Sequence, residues 1–204
     1  GILQEDDGLP LSSSSGRKLQ AEGLYPLEVA WDGVLVDDSE HPLDLVCHVH
    51  SALGVIWGDR ADAIQQEACE LLGVSKLREW FRQPVNFFTD HLKRYSKSRR
   101  QAPIYWQLSA GSGSYSAWLY YHRFTQDTLY RVLRDFVEPR IQQAEREQFE
   151  LESQGALSGD AATRLQEAQT LLQDLRLLKS ELDLVAPLWN PNLNDGVIIN
   201  HAIL

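Results

Sequence analysis

The chain has 204 residues, of which 43% are hydrophobic and 24% are charged, a composition typical of a globular protein rather than a disordered one. Its formal net charge of -10 argues against nucleic-acid binding by the chain as a whole. Two cysteines are too few for a disulfide framework, and no apolar run reaches about eighteen residues, so we expect a cytoplasmic protein without a membrane span.

The first third of the chain is predicted to be a linker followed by a strand and three helices. Residues 1–23 favour a linker, because they combine acidic residues with a run of four serines. Residues 24–38 alternate enough to indicate a short strand or an extended segment, with a turn at Asp32-Gly33. Helical spacing of apolar residues and helix-terminating residues then predict three helices: 42–57, 58–74 and 76–82.

A fourth helix and a β-hairpin are predicted next. The helix begins at Pro84 and runs to about Lys97. Its inner stripe is formed by apolar and aromatic residues at helical spacing: Phe87, Phe88, His91, Leu92 and Tyr95. Two strand candidates follow, APIYWQLS and SYSAWLYYHR, and the AGSG between them predicts a β-hairpin at about 103–122.

Two long helices are predicted after this hairpin. Thr125 is the expected cap of the first, which Pro139 is expected to kink. The second carries a heptad seam with spacings of three and four: Ala168, Leu171, Leu175, Leu178, Leu182 and Val185. The predicted fold class is mainly α with a small β-hairpin, in which a helical domain (24–124) precedes a long antiparallel helical hairpin (125–187) and a loop (188–204).

Positive charge is concentrated in the middle of the chain. Residues 1–46 carry ten acids and two bases, 47–137 carry twelve bases and eight acids, and 138–204 carry eleven acids and five bases. The stretch HLKRYSKSRRQAPIYW (91–106) holds five cations with no acid among them: Lys93, Arg94, Lys97, Arg99 and Arg100. Such a cluster can neutralise DNA phosphates, but it is equally typical of a solvated helix end whose dipole favours cations.

Other motifs favour structural roles over chemistry. The hairpin aromatics can stack on bases, but alternate ones are more often strand core: Tyr105, Trp106, Tyr115, Trp118, Tyr120 and Tyr121. Cys47-His48-x-His50 has no second ligand pair at zinc spacing, so no metal site is expected. No catalytic residue is predicted, since the glycines of SAGSGSYS lack the lysine of a phosphate loop and no nucleophile–base pair is evident.

Four stretches taken together resemble a known family: IWGDRADAIQQEACELLGV, LREWFRQPVNFFTDHLKRYSKSRRQAPIYWQLS, SAWLYYHRFTQDTLYRVLRDFVEPRI and WNPNLNDGVIIN. In this order they are similar to the C-terminal region of BREX-type (PglX-like) adenine-specific DNA methyltransferases of phage-defence systems, and to single-chain type II restriction-modification methylases. The resemblance spans roughly residues 24–200 and is most specific from HLKRYSKSRR to DFVEPR.

The resemblance implies a parent protein that transfers a methyl group from S-adenosylmethionine to adenine N6 in duplex DNA. In such enzymes the cofactor pocket and the catalytic tetrapeptide lie upstream, so the resemblance assigns neither catalytic nor cofactor-binding residues to this chain. NPNL (190–193) lacks the second proline and the aromatic residue of that tetrapeptide. The absence of methionine and the start at Gly1-Ile2-Leu3 also predict a fragment of a longer chain.

The leading hypothesis is a non-catalytic C-terminal segment that supports DNA binding or target recognition. Its DNA-contacting residues are expected in the basic stretch, with residues 24–124 closest to DNA: Lys93, Arg94, Lys97, Arg99 and Arg100. The expected partners are duplex DNA, the upstream methyltransferase domain and other subunits of the defence system. The alternative is a protein-interaction module that docks another subunit through the exposed side of the long hairpin.

Overall fold

The computed structural model describes residues 3–4, 10–11, 32–94, 96–97, 100–101, 105–153 and 159–191. Its strands are β1 (Leu3–Gln4), β2 (Pro10–Leu11), β3 (Val34–Val36), β4 (Ser96–Lys97), β5 (Arg100–Gln101), β6 (Tyr105–Ser109) and β7 (Ser116–Tyr120). Its helices are α1 (Leu45–Trp57), α2 (Ala61–Leu72), α3 (Leu77–Arg82), α4 (Phe87–Arg94), α5 (Thr128–Arg131), α6 (Glu138–Ser153) and α7 (Gly159–Val185). The predicted class, mainly α with a small β part, is confirmed. None of the helices in these ranges is long and apolar enough to cross a membrane.

Local side-chain chemistry sets the ends of the first helices. α1 begins at Leu45 rather than at Pro42, because the Asp44 carboxylate accepts a hydrogen bond from the Cys47 N–H (2.9 Å) and so caps the helix. α2 ends at Leu72, two residues before the predicted end, and Gly73 follows with a φ of 70°, the left-handed conformation that commonly closes a helix. The hydrophobic period predicts that these helices exist, while the caps decide their bounds.

The predicted β-hairpin is formed by β6 and β7, which pair antiparallel over five residues each. β3 pairs antiparallel with the other edge of β7, so the sheet order is β3-β7-β6. Gly33 allows this close approach: its φ is 73°, and a Cβ there would lie 2.9 Å from the Cβ atoms of Tyr120 and Arg123. The extended segment was predicted from alternation, whereas its pairing with β7 was not.

One face of the sheet packs against the two long helices. They share a hydrophobic cluster whose buried members include Val34, Val36, Ala117, Leu119, Leu129, Val132, Val137, Leu175, Leu178 and Leu182. The predicted heptad seam of α7 is confirmed, since four of its six members are buried and the other two are partly buried against this cluster. The division of the chain into 24–124 and 125–187 stays a prediction, although the two parts share this core.

Ion pairs between α6 and α7 show that the two helices are antiparallel. Arg176 Nη2 lies 2.8 Å from the Glu145 carboxylate, and Lys179 Nζ lies 2.6 Å from that of Glu138. A later residue of α7 thus meets an earlier residue of α6, as an antiparallel arrangement requires. The predicted helical hairpin is therefore present.

A π-helical segment, Val132–Val137, joins α5 to α6. It lies immediately before Pro139, which has no N–H and whose ring would clash with the carbonyl of Asp135 in a regular helix. The wider π turn removes this clash. The irregularity predicted at Pro139 thus lies in the turns before the proline, where four residues of the segment are buried in the core.

Helices α3 and α4 cover the other face of the sheet. Trp118 is 1% exposed, and its ring meets those of Phe81 (6.2 Å) and Phe87 (6.3 Å) edge to face. Its register partner Gln107 donates hydrogen bonds to the backbone carbonyls of Phe81 and Arg82, both at 2.9 Å. The sheet is therefore buried on both faces, with α4 leading directly into the basic stretch.

Leu175→Ala is expected to lower the free energy of unfolding by about 3 kcal/mol, because Leu175 is 0% exposed and its truncation leaves a cavity in the core. Leu177→Ala is the matched control, since Leu177 lies two residues further along α7 and is 56% exposed. Its expected cost is within about 0.5 kcal/mol. Urea unfolding followed by circular dichroism measures both, and equal losses would contradict the assigned faces of α7.

Candidate nucleic-acid interface

The basic stretch lies where α4 ends and a short β ladder begins. α4 ends at Arg94, so the prediction that this helix continues to Lys97 is wrong. β4 and β5 pair antiparallel, with Lys97 directly opposite Arg100. A longer helix would have placed Lys93 and Lys97 four residues apart on one face, where like charges destabilise a helix.

The structure describes the five predicted DNA-contacting residues to different extents. Lys93 is exposed in the last turn of α4. The backbones of Arg94, Lys97 and Arg100 belong to α4, β4 and β5, while their side chains lie outside the described residues. Arg99 lies wholly outside them. The backbone alone therefore places four of the five within a helix end and the ladder that follows it.

The β4–β5 ladder brings two cationic residues to directly opposed positions. Such residues have Cβ atoms about 5 Å apart in an antiparallel ladder, where like charges weaken the pairing. An anion bound at this point would offset the repulsion and form charge-assisted hydrogen bonds. The register of the backbone thus brings two cationic positions of the basic stretch together.

His91, which lies in α4 just before Lys93, joins this helix to the sheet. Its Nε2 accepts a hydrogen bond from the Tyr105 N–H (3.0 Å), and its ring stacks on that of Phe87 with centroids 5.5 Å apart. Burial lowers the pKa of His91 and outweighs the neighbouring Asp90 carboxylate, which raises it. The ring is therefore neutral at pH 7. Its hydrogen bond with the Tyr105 N–H connects α4 to β6, the elements that precede and follow residues 95–104.

The hairpin aromatics divide between the core and the surface. Trp118 of β7 is 1% exposed, which confirms the expectation of strand core for this residue, and Tyr115, just before β7, is also 1% exposed. Tyr105 and Tyr120 are opposed in register and half-buried, with ring centroids 5.3 Å apart, and the exposed His122 ring lies 5.3 Å from that of Tyr120. These partly accessible rings lie at the end of the sheet to which His91 is joined.

A buried ion network, which sequence reasoning missed, fixes α3 beside β3 and the start of α1. Asp37 is 3% exposed and Asp44 is 0% exposed, and both face guanidinium groups of α3. Arg78 donates to the two oxygens of Asp44 (2.7 and 2.9 Å) and also to Asp37. Arg82 donates to Asp37 as well. The spacing of Arg78 and Arg82 on one helical face was visible in the sequence, but their acidic partners depend on the fold.

The network keeps Asp44 ionised. Burial raises the pKa of Asp44, but hydrogen bonds from Arg78 and from the Cys47 N–H outweigh burial and hold that pKa below its ordinary value of 3.8. The same carboxylate accepts a hydrogen bond from the Asp38 N–H (2.9 Å). Arg78 and Arg82 are therefore engaged inside the protein and are not counted among the candidate DNA contacts.

The loop between β6 and β7 binds the carboxylate of Asp174, an anion of the protein itself, rather than presenting free donors to a phosphate. The hydroxyls of Ser112 and Ser114 both donate to Asp174 of α7, that of Ser114 at 2.6 Å. Asp174 is 8% exposed, and its charge would repel a phosphate at this position. The loop therefore attaches the sheet to α7.

The Cys47-His48-x-His50 motif is not assembled into a metal centre. His50 Nε2 lies 2.8 Å from the carboxylate of Asp62 instead. Across the part of the chain that the structure describes, no group of three or more His, Cys, Asp or Glu residues is arranged to hold a metal ion. The motif thus forms a surface contact between α1 and α2.

A groove of about 790 Å³ lies between α3 and the helical hairpin. Its lining carries both signs of charge, with Lys76 and Arg164 among the cations and Glu150 and Glu167 among the acids. Mixed charge of this kind favours no single class of ligand. The basic stretch therefore remains the better candidate for anion binding.

Comparison with known proteins relates the chain to adenine-specific methyltransferases, although no protein-family model matches it. The chain is 28% identical over 206 residues to the adenine-specific methyltransferase BrxX of Escherichia coli O9:H4 (strain HS), which covers 91% of this chain and 17% of that protein. It is 29% identical over 124 residues to the adenine-specific methyltransferase PglX of Lacticaseibacillus casei (strain Zhang), which covers 57% of this chain and 10% of that protein. The chain therefore spans less than a fifth of the length of these relatives, and the BREX, PglX-like resemblance is confirmed.

Arg78→Met is expected to lower the free energy of unfolding by about 3 kcal/mol at pH 7, because it leaves Asp44 buried without its main partner. Arg134→Met is the control, since Arg134 is exposed and pairs with Asp135 at the surface, where loss of an ion pair is expected to change stability much less. Urea unfolding measures both variants. Equal costs would contradict a structural role for the network.

The same network predicts how stability depends on pH. The lowered pKa of Asp44 contributes stability that is fully present above its unfolded pKa of about 3.9 and is lost as the pH falls through the folded value. Arg78→Met removes the cause of the lowering, so the variant should lose less stability on acidification from pH 5 than the unsubstituted chain. An equal or greater loss in the variant would contradict this assignment.

An NMR titration of the His91 ring is expected to give a pKa below 6.5. The stability that follows from this lowering is present above about pH 6.5 and is lost as the pH falls towards the folded pKa, because protonation places a donor opposite the Tyr105 N–H. His91→Gln should flatten the change in unfolding free energy between pH 7 and pH 5. A pKa at or above 6.5 would show that burial does not dominate.

Proposed function

We propose that this chain, a relative of the BrxX and PglX adenine-specific methyltransferases, is a non-catalytic segment of such an enzyme that supports its DNA binding. The observation that carries the proposal is the cationic pair Lys97–Arg100, opposed in the β4–β5 ladder directly after α4. Two cations held together at a ladder repel each other, and the phosphates of duplex DNA provide anions at a spacing that can offset the repulsion.

The other predicted contacts extend the same surface along the chain. Lys93 and Arg94 occupy the last two positions of α4, four and three residues before Lys97, and Arg99 precedes Arg100. Contacts from these residues to DNA phosphates would release counterions and give an affinity for DNA that does not depend on the base sequence. They would position DNA, while base readout would fall to other parts of the parent protein.

Partly accessible rings beside this surface support the proposal. Tyr105, Tyr120 and His122 form a row at the end of the sheet that His91 joins to α4. Aromatic rings near a cationic groove add base or sugar stacking to phosphate contacts in many nucleic-acid-binding proteins. The proposal leaves methyl transfer and S-adenosylmethionine binding to the catalytic part of the parent.

A second candidate function, docking of another protein of the defence system, is favoured by a separate observation. Two leucines are largely exposed on the side of α7 that faces away from the core, Leu177 and Leu184, and Leu188 is exposed in the 3-10 turn that follows. This surface is on different elements from the basic stretch, so the two functions do not compete for the same residues.

Lys97→Ala/Arg100→Ala is expected to weaken binding of a fluorescent duplex of about 20 base pairs and to reduce its salt dependence. Removing two phosphate contacts should lower the slope of log K against log salt by about 1.8. Fluorescence anisotropy across a salt series from about 50 to 300 mM measures both quantities.

The charge-matched control is Arg164→Ala/Arg176→Ala, which removes two exposed cations from α7. It changes the net charge equally and should leave the slope unchanged if contacts are local. Failure of the unsubstituted chain to bind duplex DNA at the lowest salt, or an equal effect of the control pair, would overturn the proposed DNA-binding surface.

A further inference from the structure

Helix α7 is apolar on two opposite faces. Its inner face carries Leu175 and Leu182, which are 0% and 3% exposed in the core. On the opposite side, Leu177 is 56% exposed and Leu184 is 71% exposed, and Leu188 in the following 3-10 turn is 65% exposed. A helix that only covered a core on one side would carry polar residues at these outer positions.

The outer leucines are regularly spaced rather than scattered. Leu184 follows Leu177 by seven residues, so the two lie on one side of α7, and Leu188 is exposed in the 3-10 turn that follows the helix. Single exposed apolar residues are ordinary, whereas a continuous line of them marks an interaction surface. Seven-residue spacing is the period at which a second helix packs along the first.

The residues between the leucines suit the close approach of another helix. Ser180 is small and exposed, and it lies three residues after Leu177 and four before Leu184. Glu181 is also exposed and lies four residues after Leu177 and three before Leu184. The flank with Ser180 also carries Arg176, which is paired with Glu145 of α6, while the other flank carries Glu181.

Charge distinguishes between the possible occupants of this surface. In the part of the chain that the structure describes, Glu181 has no ion-pair partner. Asp183, also exposed, pairs with Lys179 of its own helix (3.4 Å). Two copies of this chain would bring together surfaces of equal charge, each from a protein with a formal net charge of -10. A helix with cations beside its apolar line would instead pair with Glu181.

We propose that the outer face of α7, defined by Leu177, Glu181 and Leu184, docks an amphipathic helix of another protein segment whose apolar stripe is flanked by Lys or Arg. The leucines supply the buried area, and Glu181 selects the charge of the partner's flank. The docking surface is independent of the DNA-binding proposal, because it uses none of the residues 93–101.

Two synthetic helical peptides of about 21 residues provide the test, each with leucines at heptad spacing. One has lysines beside the leucines and the other has glutamates at the same positions. Isothermal titration calorimetry against the whole chain is expected to show binding of the lysine peptide and at least about tenfold weaker binding of the glutamate peptide.

Variants of the chain locate the binding site. Leu177→Gln/Leu184→Gln is expected to weaken binding of the lysine peptide at least about tenfold, without loss of fold, because both side chains are exposed. Leu71→Gln is the matched control, since Leu71 is 81% exposed on α2 and should not affect binding. Glu181→Lys is expected to reverse the preference between the two peptides.

Three results would overturn the proposal. The first is that neither peptide binds the folded chain. The second is that Leu71→Gln weakens binding as much as the double variant, which would show non-specific adsorption. The third is that sedimentation equilibrium finds a dimer that Leu177→Gln/Leu184→Gln converts to monomer, since the face would then be occupied by a second copy.

Discussion

Asp44 is completely buried and charged, and four hydrogen bonds satisfy its carboxylate. Two come from Arg78, one from the Cys47 N–H at the start of α1, and one from the Asp38 N–H after β3. An ionised carboxylate in the interior is tolerated only when it is paired and hydrogen-bonded in this way. The requirement therefore fixes three elements relative to one another, and the covering of the sheet by α3 depends on it.

This constraint extends to the candidate DNA-binding surface. With α3 held at the network, Phe81 packs on Trp118 and on Phe87, which is the first residue of α4. His91 then links α4 to β6 through the Tyr105 N–H. The basic stretch thus begins in α4, which packs on one face of the sheet, and ends in β6, a strand of that sheet.

The fold also redistributes the charge of the chain. The acidic first part, residues 1–46, supplies Asp37 and Asp44 to neutralise Arg78 and Arg82 of the basic middle part. In the helical hairpin, acids of α6 pair with cations of α7. The block of cations at 93–100 has no acid within it, so the positive charge of the middle part is concentrated there.

The elements that depend on local pattern were predictable from the sequence, and those that depend on distant partners were not. The seam of α7 and the β6–β7 hairpin follow from period and turn residues. The pairing of β3 with β7 and the ion network join residues far apart in the chain, which no local pattern encodes. A longer α4 would place the like charges of Lys93 and Lys97 four residues apart on one face, which destabilises a helix. The apolar stripe from which the helix was predicted contains no information about this cost. The Lys97–Arg100 register likewise became visible only with the ladder.

Hydrogen–deuterium exchange of the whole chain, with and without a saturating DNA duplex at low salt, tests the central claim most directly. The account predicts slower exchange of the backbone amides at residues 93–101 when DNA is bound, with no change along α7. Protection of α7, or bound DNA that leaves residues 93–101 unchanged, would contradict the assignment of the basic stretch as the DNA-contacting surface.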